Sequence, residues 1–241
     1  MKNLIIFLFS TTFLIQCQEK ATEKNIITKT ETNLSAKDSL RHETIDYQEF
    51  KADSIQNINI SAFDTFTTHR LNQFKIVTGY YKPVGGKIVP PDTENNSGRR
   101  LLVLDSQNKI VFKSIGFGDI YLFEPHFFKN DYNDKIIIIF QIAYEYFMGG
   151  EAFLIDGNNI KYLGNMDIES NQMELPMTKI LKIKEADRKI SFTFETDSLL
   201  LQPGSKDIFI KNEDTKYVYE NSKLKFYRWF LAIKINKKLK L

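Results

Sequence analysis

The sequence predicts an all-β fold: a mainly antiparallel meander arranged as a sandwich, a barrel or a propeller-like stack, with few helices. Short apolar segments recur at roughly 8–12-residue spacing, with turn residues between them, as in sandwiches and barrels. The chain is also rich in aromatic residues, with 20 Phe and 11 Tyr, which favour strands over helices. Strands do not alternate with helical segments, so a doubly wound sheet is not expected. No period of about 40–50 residues that would favour a propeller over the other two architectures is found.

The individual strands follow from alternation and from the turns that bound them. We expect two hairpins, one closing at Asp105–Asn108 and one closing at Asp156–Asn159. The apolar run at residues 136–140 has no polar alternation, which indicates a strand buried on both faces. Residues 188–196 alternate, with Ile190, Phe192 and Phe194 on one side. Further strands are expected at residues 74–81, 207–211, 216–220 and 223–227.

The N-terminus predicts export. A lysine at position 2 is followed by a short apolar run, and Leu14-Ile15-Gln16-Cys17 then precedes a polar stretch. About 12 apolar residues are too few to span a bilayer as a helix. This order resembles the signal of bacterial lipoproteins, which implies that Cys17 becomes the lipid-modified first residue of the mature protein. An ordinary cleaved signal with Cys17 as a bystander is the alternative.

The resemblance implies a palmitate-bearing membrane anchor, and the absence of aspartate after Cys17 implies the outer membrane, facing the periplasm or the surface. Cys17 is the single cysteine of the chain, so the domain folds without disulfides. We therefore divide the chain into a signal peptide (1–16), a lipidated flexible tether (17–46) and one β-rich domain (47–241). The tether is inferred from its polar composition, which offers little apolar surface to bury.

Charge is distributed unevenly along the chain. Residues 18–222 carry a formal charge of −5, whereas residues 223–241 carry +7. We expect no nucleic-acid partner, because basic residues and glycine are not interleaved and the protein is exported. The basic C-terminal segment is expected to begin as a strand. The alternative is an amphipathic helix, because Phe226, Trp229, Phe230 and Ile233 have helical spacing.

A long loop is the first candidate binding site. Residues 83–100 contain several Pro and Gly residues and end in Arg99 and Arg100, next to Tyr80 and Tyr81 of the preceding strand. Loops of this length within a domain are either functional or disordered. The Arg pair could meet a carboxylate or phosphate. We therefore expect a binding loop here, and a disordered insertion is the alternative.

The sequence offers little specific chemistry. Its three histidines lack the spacing of a metal-binding pair, and the Gly-containing segments lack the context of a phosphate loop, so neither a metal nor a cofactor is expected. The calcium alternative at residues 130–134 lacks the usual glycine and a distal glutamate. A nucleophile motif is also absent. The candidates for a hydrolase are scattered: Glu124, His126, Glu145 and Glu151.

These observations lead to a membrane-anchored envelope lipoprotein that is not an enzyme and acts as a binding or accessory module for a protein or glycan partner. Two alternatives stay open. One is an envelope hydrolase that uses the scattered acids and His126. The other is an immunity-type lipoprotein that neutralises a toxin through one tight protein partner.

Overall fold

The computed structural model describes residues 44–172 and 175–228, whose regular secondary structure consists almost entirely of strands. In chain order the elements are β1 (Ile45–Phe50), β2 (Asp53–Ser54), β3 (Phe63–Leu71), β4 (Phe74–Tyr81), β5 (Arg100–Leu104), β6 (Ile110–Lys113), β7 (Leu122–Lys129), β8 (Ile136–Ala143), β9 (Phe147–Asp156), β10 (Asn159–Met166), β11 (Ile168–Ser170), α1 (Met177–Ile180), β12 (Leu181–Ala186), β13 (Lys189–Phe194), β14 (Ser198–Leu201), β15 (Ile208–Lys211), β16 (Lys216–Glu220) and β17 (Lys223–Tyr227). The all-β prediction is therefore confirmed.

Nine strands form one antiparallel sheet in the order β10-β9-β8-β7-β1-β12-β13-β16-β17. β1 lies at its centre: Ile45–Tyr47 pair with β12, and Gln48–Phe50 pair with β7. The sheet curls until its two edge strands approach each other. At this seam a Cβ added to Gly164 of β10 would lie 2.8 Å from Cβ of Leu224 in β17. The sheet is thus nearly closed.

The inner core is contributed by both halves of the nearly closed sheet. Alternate residues of its strands point inward, among them Tyr47, Phe128, Ile139 and Phe192. One end is covered by α1 and by a small sheet of β11, β14 and β15. We call this the capped end. The end of β8, the start of β9 and the end of β10 all lie there, as their pairing registers require.

A second sheet, in the order β2-β3-β4-β5-β6, packs on the outer face of β7, β8 and β9. The outer core between the two sheets includes Ile76, Leu101, Phe140 and Phe153. β8 therefore serves both cores and is buried along its whole length. The prediction that residues 136–140 are buried on both faces is confirmed.

Both predicted hairpins are present as β5–β6 and β9–β10, and β13 has the expected alternation of buried and half-buried residues. Lys223–Tyr227 is a strand, and Phe226 belongs to it. The remaining residues of the helical alternative lie outside the described residues, as does Cys17. Within residues 44–172 and 175–228, no helix has the length and apolar character needed to cross a membrane.

Candidate functional site

The predicted binding loop is an ordered segment fixed to the loop between β6 and β7. Gly118 N donates to Ser97 O at 2.9 Å, and Phe117 N donates to Arg99 O at 2.9 Å. Cβ atoms at Gly98 or Gly116 would meet backbone atoms of the facing loop within about 2 Å, which explains why these positions are glycine. The structure therefore shows a pinned loop and not a disordered insertion.

Arg100 is fully buried, and this corrects its place in the predicted site. Its guanidinium forms an ion pair with the buried carboxylate of Asp92 and donates to Ser114 O at 3.2 Å. The carboxylate that Arg100 meets belongs to the same chain and not to a partner. Arg100 consequently fastens the loop to β5 and is not available to a partner.

The other predicted residues lie on two different faces. Tyr80 and Tyr81 are neighbours in one strand, so their side chains point to opposite sides of the sheet. Tyr80 contacts Phe66, and the guanidinium carbon Cζ of Arg99 lies 4.7 Å from the centroid of the Phe66 ring. Tyr81 packs under Arg100 instead. The structure does not bring the four predicted residues together as one contact surface.

A cavity of about 730 Å³ lies at the capped end. Its surface is mostly apolar, and we call it the aromatic cavity. It is bounded by the turn between β8 and β9, by β11 with the following turn, and by β14 and β15. Its lining residues include Glu145, Tyr146, Phe147, Leu200, Asp207 and Phe209.

Exposed aromatic side chains mark the rim of this cavity. Phe209 is 64 % exposed and Tyr146 is 43 % exposed. Tyr144, in the same turn as Tyr146, lies 6.1 Å from the ring of Tyr121, which is 69 % exposed. Exposed apolar surface of this kind next to a cavity is typical of binding sites.

Glu169 lies against the aromatic cavity and is almost completely buried. Its carboxylate accepts hydrogen bonds from Gly149 N and Met177 N, each at 2.7 Å, and from the side chain of Gln141. Burial raises the pKa of Glu169 to about 7, although the three donors act in the opposite direction. The acceptor positions of Glu169 are thus largely used within the chain.

A second cavity, of about 540 Å³, opens between β1 and β7 of the nine-stranded sheet on one side and β2 and β3 on the other. We call it the polar cleft. His126 donates from Nδ1 to Glu49 Oε1 at 2.7 Å, and Nε2 lies 3.5 Å from Oγ1 of Thr178. Glu124 and His69 also line the cleft. This is an acid–histidine pair with a hydroxyl beyond it, the arrangement that orients a general base.

Hydrogen bonds connect the two cavities through α1. Thr178, next to His126, donates its backbone N–H to Gln141 Oε1 at 3.3 Å. The amide of Gln141 donates in turn to Glu169 at the aromatic cavity. Neither Thr178 nor Gln141 lines either cavity, so both lie behind the two surfaces.

The four predicted hydrolase residues are not assembled into one site. Glu124 and His126 line the polar cleft, and Glu145 lines the aromatic cavity. Glu151 lines neither: its carboxylate accepts hydrogen bonds from Tyr162 and from Asn165, at 2.8 Å for the latter. Burial raises the pKa of Glu151 as well. These acids therefore serve separate parts of the fold.

Sequence reasoning missed Glu49, because its partner His126 lies 77 residues away and nothing local links them. The aromatic cavity had a weak signal in Tyr144-Glu145-Tyr146-Phe147, an aromatic-rich stretch at the end of a buried strand. Its other wall comes from Leu200, Asp207 and Phe209, more than 50 positions further along the chain. That wall could not be assigned without the sheet topology.

Residues 130–134, the segment considered for calcium, form a turn that is held by hydrogen bonds among its own residues. Asn130 is buried, and its Oδ1 accepts from Tyr132 N and Asn133 N at 2.8 and 2.9 Å. Across residues 44–172 and 175–228, no group of three or more His, Cys, Asp and Glu is placed to hold a metal ion.

Comparisons of the chain with protein-family models, with curated protein sequences and with solved structures gave no match.

Proposed function

We propose that this chain is a lipoprotein of the cell envelope that is held at the outer membrane through Cys17 and binds a protein or glycan partner without catalysing a reaction. The observation that carries the proposal is the aromatic cavity at the capped end. Its volume of about 730 Å³ and its mostly apolar surface match the sites at which proteins take up ligands.

The location of the exposed aromatic residues supports binding at this cavity. Phe209 and Tyr146 are the kind of anchors that dominate binding energy when a partner buries them. The pinned loop at residues 83–100 is the weaker candidate, because Arg100 is buried and paired with Asp92 inside the fold.

The proposal is tested by crosslinking in intact cells, followed by purification through a C-terminal tag and mass spectrometry. The unmodified chain is compared with Phe209→Ser, which changes the cavity rim, and with Tyr132→Ser as a matched control. Tyr132 is 66 % exposed and does not line either cavity. We expect one stoichiometric partner that Phe209→Ser loses and Tyr132→Ser keeps. Equal recovery with both variants would exclude the cavity as the binding site.

The anchor is tested separately. Cys17→Ser should release the protein from the membrane fraction, and the unmodified chain should carry lipid on Cys17 by mass spectrometry. A chain cleaved elsewhere, with an unmodified Cys17, would refute the lipoprotein assignment and leave the binding proposal intact.

The hydrolase alternative has one specific observation in its favour, the Glu49–His126 pair in the polar cleft. It is tested with His126→Asn and Glu49→Gln against panels of envelope glycan, ester and peptide substrates. Turnover that both variants abolish would establish catalysis.

The immunity-type alternative is tested by the same crosslinking experiment, in which the recovered partner would be a protein toxin.

A further inference from the structure

We propose that the aromatic cavity takes a peptide segment of a protein partner in which a Lys or Arg side chain is flanked by large apolar residues. The inference rests on the proposed binding function and specifies the chemistry of the partner.

The charge of the cavity favours a cation. Among its described lining residues, the carboxyl groups belong to Glu145, Glu169 and Asp207, and none of these lining residues is Lys or Arg. Glu145 and Asp207 are exposed, so they meet an incoming ligand directly. A cationic group placed here gains Coulomb attraction from the carboxylates of Glu145 and Asp207, and the partly enclosed walls strengthen it. Glu169 contributes less negative charge near neutral pH, because burial raises its pKa to about 7.

The apolar part of the cavity favours the rest of such a segment. Tyr146, Phe147 and Phe209 offer ring faces on which a Lys or Arg head can lie, and Leu200 offers apolar surface for its methylene stem. Large apolar neighbours of the basic residue would cover the rings of Phe209 and Tyr146, which solvent now reaches.

A peptide fits this surface better than a glycan. A sugar presents many hydroxyl groups, each of which needs a hydrogen-bond partner when it is buried. Two of the polar side chains in the wall are already engaged, since Ser170 Oγ accepts from Gln172 N and Asn171 Nδ2 donates to Ser198. The remaining surface is mostly apolar and offers few partners to hydroxyl groups.

The edge of the small sheet provides a second reason to expect a peptide and not a glycan. β15 is the outer strand of the order β11-β14-β15, and Ile208 and Phe209 on it are exposed. The backbone of an edge strand is a template for an extended segment, which only another polypeptide chain can supply. An extended peptide could thus pair with β15 while its basic side chain enters the cavity.

The test uses the full chain, purified in detergent and immobilised through a C-terminal tag. It is panned against a random heptapeptide phage library and, in parallel, probed with a glycan array. The best peptide is then synthesised and its Kd measured for the unmodified chain, Phe209→Ser and Glu145→Lys. Tyr132→Ser and Asp131→Lys serve as matched controls, since both positions are exposed and lie in the turn between β7 and β8.

We expect enrichment of peptides that combine Lys or Arg with aromatic or aliphatic residues. Phe209→Ser and Glu145→Lys should each weaken binding roughly tenfold or more, as for a hot-spot contact, and the controls should leave Kd nearly unchanged. Enriched peptides without a basic residue, or a Kd insensitive to Glu145→Lys, would overturn the inference.

Three further outcomes separate this inference from the proposed function. Glycan binding that Phe209→Ser abolishes, without peptide binding, refutes the peptide and keeps the binding module. Neither peptide nor glycan binding, with no crosslinked partner in cells, refutes both. A large gain in peptide affinity on deletion of residues 229–241 would identify the chain's own basic segment as the occupant and overturn the assignment to a partner.

Discussion

The Arg100–Asp92 pair shows how burial decides the role of a charged side chain. Both side chains are enclosed between β5 and the long loop that precedes it. Removing two charges from water is costly, and the pair offsets this only while both members are present. The loop at residues 83–100 is therefore held by this pair, and a substitution of either member leaves the charge of the other buried without a partner.

We predict that Asp92→Ala lowers the free energy of unfolding by about 3–5 kcal/mol, the usual cost of breaking a buried ion pair from one side. The control is Glu213→Ala, which removes the exposed partner of Lys211 and should cost about 1 kcal/mol or less. Urea unfolding monitored by far-UV circular dichroism measures the free energy of unfolding of both variants. Similar losses for the two variants would contradict a structural role for Asp92.

Glu169 is the second residue whose environment sets its chemistry. Its pKa of about 7 in the folded chain exceeds the ordinary value of 4.5, so the folded state binds the extra proton between these pH values. The stabilising contribution of the protonated form is complete below pH about 4.5 and is lost as the pH rises through about 7.

We therefore predict that the free energy of unfolding of the unmodified chain falls with rising pH relative to Glu169→Gln, by up to about 3 kcal/mol between pH 4.5 and 7.5. Glu151 and Asp167 also have raised pKa values and bend the pH profile in the same direction. They are present in both proteins, so the difference between the two profiles isolates Glu169. Parallel profiles would show that Glu169 does not titrate in this range.

At the scale of elements, β8 is the strand on which both cores depend. Ile139 packs into the inner core and Ile138 into the outer core, and both are fully buried. An apolar run without alternation is the pattern of such a strand, which is why its environment was predictable from the sequence alone.

We predict that Ile138→Ala and Ile139→Ala each cost about 2–5 kcal/mol, although the two side chains point in opposite directions. Ile115→Ala is the control, because that side chain is 54 % exposed and should contribute about 0.5 kcal/mol or less. Chemical denaturation of the three variants provides the comparison. Tolerance of either substitution in β8 would mean that one of the two cores is not packed there.

The seam between β10 and β17 depends on a glycine. Gly164 has φ +143°, and a Cβ at this position would collide with Leu224 across the seam. Gly157, in the turn between β9 and β10, also has positive φ but has open space around it. Gly157 has the φ of an ordinary left-handed residue, whereas the φ of Gly164 lies far outside that region, so Gly164 combines greater backbone strain with the close approach of another strand.

We predict that Gly164→Ala destabilises the protein more than Gly157→Ala. The latter should cost only the strain of a left-handed residue, about 1–2 kcal/mol. The melting temperatures of both variants, measured side by side, test the seam. A smaller loss for Gly164→Ala than for Gly157→Ala would indicate that β10 and β17 do not meet as described.

For the whole molecule, local patterns were sufficient to place most strands, because alternation and turn chemistry act over a few residues. The hairpins β5–β6 and β9–β10 are examples. The site depends on the pairing of β14 with β11 in the small sheet, which brings β15 to the end of the fold where the turn after β8 lies, and no local pattern encodes such a meeting. Arg100 was misassigned for the same reason, since its partner and its burial are tertiary properties.

The central position of β1 has a consequence for the order of events when the chain is made. β1 is the first strand of the described residues, yet its two partners β7 and β12 begin 77 and 136 positions after Ile45. The two halves of the large sheet cannot be joined before residues 181–186 have been made. Long-range pairing of this kind slows folding. A newly made chain thus keeps Ile45–Tyr47 of β1 unpaired until β12 is available, whereas Gln48–Phe50 can pair earlier with β7.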